Sequence, residues 1–201
     1  MPNWCCSTIA FYQEDGGNAR AEAFYADILK YQNFKDSDGK HSSWVGHWLQ
    51  SNRMDIETIN SRCFFVSCEL LEDHIRVEME TAWEPLPEVW DLMAEKYELS
   101  YVYIAEESGN EVYVNTDATG RFFTTRYMAS FYNAYYEGPG VEVMKGIGKR
   151  LREFDGETMY FDSWEEVEKA FKELGLSFAD IAGLNKELGT FKIKVYEYSR
   201  E

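Results

Sequence analysis

The stretch that decides the fold is CFFVSCELLEDHIRVEMETAW, residues 63–83. Within it Ile75, Val77 and Met79 alternate with Arg76, Glu78 and Glu80. That period of two belongs to a strand with one face buried and the other in water. Cys63 to Leu71 and His74 to Trp83 therefore read as a hairpin. Directly downstream, Leu86, Val89, Trp90, Met93, Ala94 and Tyr97 recur at helical spacing, and Pro85 or Pro87 suits the first turn.

Working outward, Cys5 to Gln13 reads as a strand that ends at the turn Glu14-Asp15-Gly16-Gly17. Arg20 to Gln32 reads as a helix with Phe24, Ile28 and Tyr31 on one face and Asn18 as its N-cap. Trp44 to Leu49 is apolar but too short to assign to helix or strand. Tyr101 to Ala105, Glu111 to Asn115 and Arg121 to Tyr127 read as strands. Past the Gly-Pro-Gly in Tyr135 to Gly140 come a strand at Thr158 to Phe161, a helix opened by a Ser163–Glu166 capping box, a second cap at Ser177 with Asp180, and a closing strand at Thr190 to Tyr198. The expected class is α+β. Residues 1–137 form a ferredoxin-like β-α-β-β-α-β antiparallel sheet with helices on one face, and residues 138–201 a small C-terminal α/β extension.

Composition narrows the function. Aromatic residues make up 16% of the 201, which gives ample material for a core. The N-terminus lacks a charged region followed by an apolar one, and no run is long enough to span a membrane, so a cytoplasmic protein is expected. Cys5, Cys6, Cys63 and Cys68 are then reduced thiols, and without a C-x-x-C pair they do not suggest zinc. The formal net charge is −16. Such a balance disfavours direct contact with nucleic acid or anionic membranes and favours either simple solubility or a basic partner. From Val66 to Asp117 there are 14 acidic residues against Arg76 and Lys96.

The opening Met1-Pro2-Asn3-Trp4-Cys5 resembles the start of the YubB ferredoxin-like family of plasmid, phage and integrative-element proteins. Glu80-Thr81-Ala82-Trp83-Glu84-Pro85, Ala105-Glu106-Glu107-Ser108-Gly109, and Tyr113 with Asp117 fit the pattern of its Gram-positive members. The resemblance covers roughly residues 1–130. It implies the fold and a mobile-element habitat, and no catalytic residues. By analogy it points to small acidic inhibitors of host restriction or CRISPR systems, whose targets carry basic nucleic-acid channels.

The carboxylates are the candidate site. Glu78 and Glu80 lie on one strand face about 6.6 Å apart. Glu84, Glu88, Asp91 and Glu95 share the helix face opposite the apolar stripe. Together with Glu69, Glu72, Asp73, Glu106, Glu107 and Glu111 they are expected to gather on one exposed patch that imitates nucleic acid and engages a basic host protein. Glu106 and Glu107 lack the neighbouring Asp or His that a metal site needs, so no metal and no cofactor is expected. His41, His47 and His74 sit in no catalytic pattern, and no enzyme is expected. The alternative site is anionic: Lys145, Lys149, Arg150 and Arg152 around Gly146-Ile147-Gly148 could hold a small anionic nucleotide, together with an aromatic sheet of Tyr101, Tyr103, Tyr113 and Phe122.

Overall fold

The computed structural model describes residues 3–35, 37–39, 42–132, 138, 140–154, 156–189 and 192–200. The chain is α+β and divides into two compact units, Met1–Phe123 with Ser199–Glu201, and Thr124–Tyr198.

The first unit runs β1 (Trp4–Tyr12), α1 (Ala19–Gln32), α2 (Gly46–Ser51), β2 (Cys63–Leu70), β3 (His74–Ala82), α3 (Pro87–Tyr97), β4 (Ser100–Glu107) and β5 (Val112–Asn115). The strands form one antiparallel sheet in the order β2-β3-β1-β4-β5. The alternation read in β3 places Ile75, Val77 and Met79 against the helices. Ile9 and Phe11 of β1 and Tyr103 and Ala105 of β4 join them on that side. Phe24 and Ile28 of α1, Trp48 and Leu49 of α2, and Val89, Trp90 and Met93 of α3 fill the space above. Fully burying each such aliphatic or aromatic side chain is worth about 1.5–3 kcal/mol, so this layer dominates the unit's stability. The segment Trp44–Leu49, ambiguous as sequence, turns helical from Gly46 and buries Trp48 completely. Asn18 does not cap α1 through its side chain, whose amide donates instead to the Leu71 carbonyl.

The second unit contains β6 (Tyr127–Phe131), α4 (Val141–Arg152), β7 (Thr158–Phe161), α5 (Trp164–Glu173), α6 (Phe178–Leu188) and β8 (Ile193–Glu197). Its three strands are antiparallel in the order β7-β6-β8. Ala129, Phe131, Met144, Ile147, Phe171 and Ile193 lie in its core. The Ser177–Asp180 capping box is complete. At Ser163 only half of one forms, because Glu166 accepts from the Asp162 N–H rather than the Ser163 N–H.

The division falls at Phe123, earlier than the boundary expected at residues 137 and 138. Most of the Gly-Pro-Gly stretch on which that boundary rested lies outside the described residues. The strand expected at Arg121 to Tyr127 is not formed as such. The Asp117 carboxylate accepts from the backbone N–H groups of Phe122 and Phe123, bending residues 117–123 into a loop, and β6 begins only at Tyr127. After β8 the chain returns to the first unit: Ser199 pairs with Val114, donating its N–H to the Tyr113 carbonyl and accepting from Asn115.

Candidate docking face on the sheet

Helices cover one side of the five-stranded sheet; the alternate residues form the other side. Cys6 has Glu80 as its partner on β3 and Glu106 as its partner on β4. The strand spacing sets those two carboxylate-bearing positions about 9.6 Å apart, with the thiol between them. Burial first, and then the charges of Glu80, Glu106 and Glu78, push the Cys6 thiol above its ordinary range. In the next row Glu78 lies beside Thr8, and its carboxylate accepts from the Ser67 hydroxyl at 2.6 Å.

A bulge between Phe65 and Ser67 breaks the register of β2 and leaves Val66 exposed. Cys6, Thr8, Val66, Glu78 and Glu80 line a depression of ≈ 260 Å³ there. Trp4, 40% exposed, meets Phe64 edge-on at 5.6 Å beside it. This end of the face thus combines carboxylates with exposed aromatic and aliphatic area. Arg76 is the one Lys or Arg among the strand residues of this face, and Glu69 lies across from it.

The far end of the same face is closed by the loop that Asp117 organises. Besides Phe122 and Phe123, Asp117 accepts from the backbone N–H groups of Thr119 and Gly120 and from the Thr119 hydroxyl. Burial favours the neutral acid, but these donors outweigh it and hold the carboxyl at about 2. The loop lays Phe122 on Tyr12 at 4.9 Å and against His74 at 4.8 Å, with the Arg121 guanidinium over both the Tyr12 and Phe122 rings. Arg121 and His74 both bond Asp73, whose carboxyl is lowered first by His74 and then by Arg121.

The twelve expected acidic residues therefore do not share one patch. Glu69, Glu78, Glu80 and Glu106 belong to the open sheet face. Glu72 and Asp73 form the β2–β3 turn, where Asp73 is already paired. Glu88, Asp91 and Glu95 stand on the outer side of α3, and Glu84 precedes that helix, so this set lies across the sheet from Glu78 and Glu80. The cause is the period of two itself: α3 packs on the face that Val77 and Met79 present, and the glutamates between them turn away. Asp91 accepts from the Tyr101 hydroxyl at 2.8 Å. Glu107 is buried and accepts from the N–H groups of Gly109 and Asn110, so it caps a turn and presents nothing to a partner. Glu111 is exposed at the entrance to β5.

The alternative anion site changes more. Lys145, Lys149, Arg150 and Arg152 lie on α4 past its first turn, not at a helix N-terminus, and Ile147 and Gly148 are buried in the core. The run occupies the C-terminal turns of the helix, where the dipole favours cations and offers no free N–H groups to a phosphate. Lys145 pairs with Glu142 at 3.7 Å. Tyr101 and Tyr103 face the helices and pack on Trp90, so they form no stacking platform on the open face. His47 stacks on Phe34 and bonds Ser42, while His41 lies outside the described residues. Among the described residues no three His, Cys, Asp or Glu side chains come together to hold a metal ion, and no helix is long and apolar enough to cross a membrane.

In comparison with known proteins, no family model matches the chain, and no curated protein or solved structure is significantly similar to it.

Proposed function

We propose that this protein acts by binding: the open face of the five-stranded sheet docks on a positively charged surface of a partner macromolecule and occludes it. One row of residues carries the reading, Glu80 and Glu106 on either side of Cys6, with Glu78 one row on and exposed Trp4 and Val66 beside them. Carboxylates around an exposed indole supply both halves of a protein interface: long-range steering and a large apolar anchor. The residues of the first unit number 23 Asp and Glu against 10 Lys and Arg, so its field favours the same class of partner.

The order β2-β3-β1-β4 with α1 and α3 on one side supports assignment of this unit to the ferredoxin-like fold, with β5 as an added edge strand. The resemblance of residues 1–130 to mobile-element proteins supports a cytoplasmic nucleic-acid-binding protein of host defence, a restriction or CRISPR effector, as that partner. The reading is of a binding protein, not an enzyme.

Two triple variants of equal charge test the face. Glu78→Lys, Glu80→Lys and Glu106→Lys together abolish capture of the partner from host lysate at low salt. Glu88→Lys, Asp91→Lys and Glu95→Lys, across the sheet, leave it intact. Equal loss in both would reduce the effect to net charge and remove the sheet face from the proposal.

A further inference from the structure

The second unit carries a different surface. The backbone bonds between β6 and β8 fall on even-numbered residues of β8: Tyr132 N–H donates to the Lys192 carbonyl and Tyr198 N–H to the Arg126 carbonyl, in register with Ser130–Lys194 and Met128–Tyr196. Antiparallel strands bond alternate pairs, so Ile193, Val195 and Glu197 turn their N–H and C=O groups toward the opposite edge. There β8 ends the sheet. At Ile193 the Asn185 side chain imitates a neighbouring strand, accepting from the N–H at 3.1 Å and donating to the carbonyl at 2.9 Å. At Val195 and Glu197 the outward backbone groups have no partner among the described residues.

Beside this edge runs a groove of ≈ 630 Å³ with Phe178, Ile181 and Ala182 of α6 on one wall and Val195 on the other. Among the described residues its lining includes Lys186 of α6 and no Asp or Glu. The alternation of β8 places Val195 on the α6 side of the sheet and Lys194 on the reverse.

We propose that an extended segment of a partner protein, alternately apolar and acidic, adds to the edge of β8. Its backbone would meet the N–H and C=O groups of Val195 and Glu197. Its apolar side chains would enter the groove, and its acidic ones, on the other face, would lie across from Lys194. The unused backbone groups select an extended peptide over a small apolar ligand, which could satisfy none of them. The lysine selects the sign of the charge, because cross-strand neighbours of opposite charge stabilise and like charges repel. This site is separate from the sheet face of the first unit and stands or falls separately.

The test uses the full isotope-labelled chain and two synthetic peptides, acetyl-Ser-Val-Glu-Val-Glu-Val-Ser-amide and its counterpart with lysine at both glutamates. The glutamate peptide shifts the amide resonances of Val195, Glu197 and Ala182, and the lysine peptide binds roughly fivefold more weakly. Val195→Pro removes an outward N–H that the β6 ladder does not use, so the unit stays folded while binding is lost. Lys194→Glu reverses the preference between the peptides. No shift at Val195 and Glu197 with millimolar glutamate peptide, binding that survives Val195→Pro in a folded chain, or equal binding of both peptides to the wild type would each overturn the proposal.

Discussion

The Asp117 carboxylate accepts the Phe122 N–H at 2.6 Å, and that bond decides where the aromatic end of the open sheet face sits. Asp117 is 2% exposed and takes donors from both sides of the loop it closes. Replacing it by Ala takes the acceptor from the buried Phe123 N–H and the half-buried Phe122 N–H and releases Phe122 from Tyr12 and His74. A loss of about 2–4 kcal/mol is expected, read from the urea midpoint.

The same residue sets an acid limit. Its folded pKa, about 2, lies below the ordinary value of 3.8. A depressed carboxyl contributes stability that is fully present above the unfolded value and lost as pH falls through the folded one. On the order of 2 kcal/mol should therefore disappear between roughly pH 4 and pH 2, and Asp117→Asn should flatten that part of the stability–pH curve.

Cys6 is the one exposed thiol of the four, while Cys5 and Cys63 are buried. Burial first, and then the charges of Glu80, Glu106 and Glu78, disfavour its thiolate, so its alkylation by iodoacetamide at neutral pH should be slow for an exposed cysteine. Glu80→Gln with Glu106→Gln should speed the reaction severalfold. An unchanged rate would show that the two carboxylates do not flank the sulfur in solution.

Asp27 joins three helices. Its carboxylate accepts from the Trp48 indole at 3.1 Å and the Tyr97 hydroxyl at 2.5 Å, and Lys30 and Lys96 lie within ion-pair distance. Asp27→Ala should cost about 1–3 kcal/mol. Burial pushes the Tyr97 phenol up, and its hydrogen bond to Asp27 adds to that. In Asp27→Asn the phenol should therefore ionise at lower pH, followed by ultraviolet difference absorbance.

Docking through the sheet face should depend on salt in its association rate. The Debye length falls to about 8 Å at physiological ionic strength, so carboxylates steer less as salt rises. Dissociation, governed by the anchor at Trp4 and Val66, should change little. Stopped-flow measurements across a salt series separate the two, and Trp4→Ala should act mainly on dissociation.

The parts of the fold with strong periodicity were legible in the sequence. The β2–β3 hairpin and α3 follow from alternation and from the spacing of Leu86 to Tyr97, and those signals survive because one face of each element is buried. The approach of Glu106 to Glu80 was not legible, because it depends on the register of β1 against both β3 and β4, which pairs Cys6 with each of them. Local pattern does not encode register. The acidic set does not form a single patch for a related reason: hairpin and helix carboxylates are close in sequence, but the sheet passes between them. Gly146 and Gly148, read as part of an anion site, lie inside α4, where packing of Met144, Ile147 and Leu151 enforces a helix. Tertiary burial outweighs the weak helix propensity of glycine, about 1 kcal/mol per residue.

The bridge between Val114 and Ser199 has a bearing on how the chain is born. The residue that covers the edge of β5 leaves the ribosome after the whole of the second unit has been made. At about 5–20 residues per second, that edge stays open for several seconds on each nascent chain, long after its own strand has emerged. A folding first unit must pass through an interval with an unguarded strand, and the speed with which residues 124–198 fold and deliver the tail sets how long it lasts.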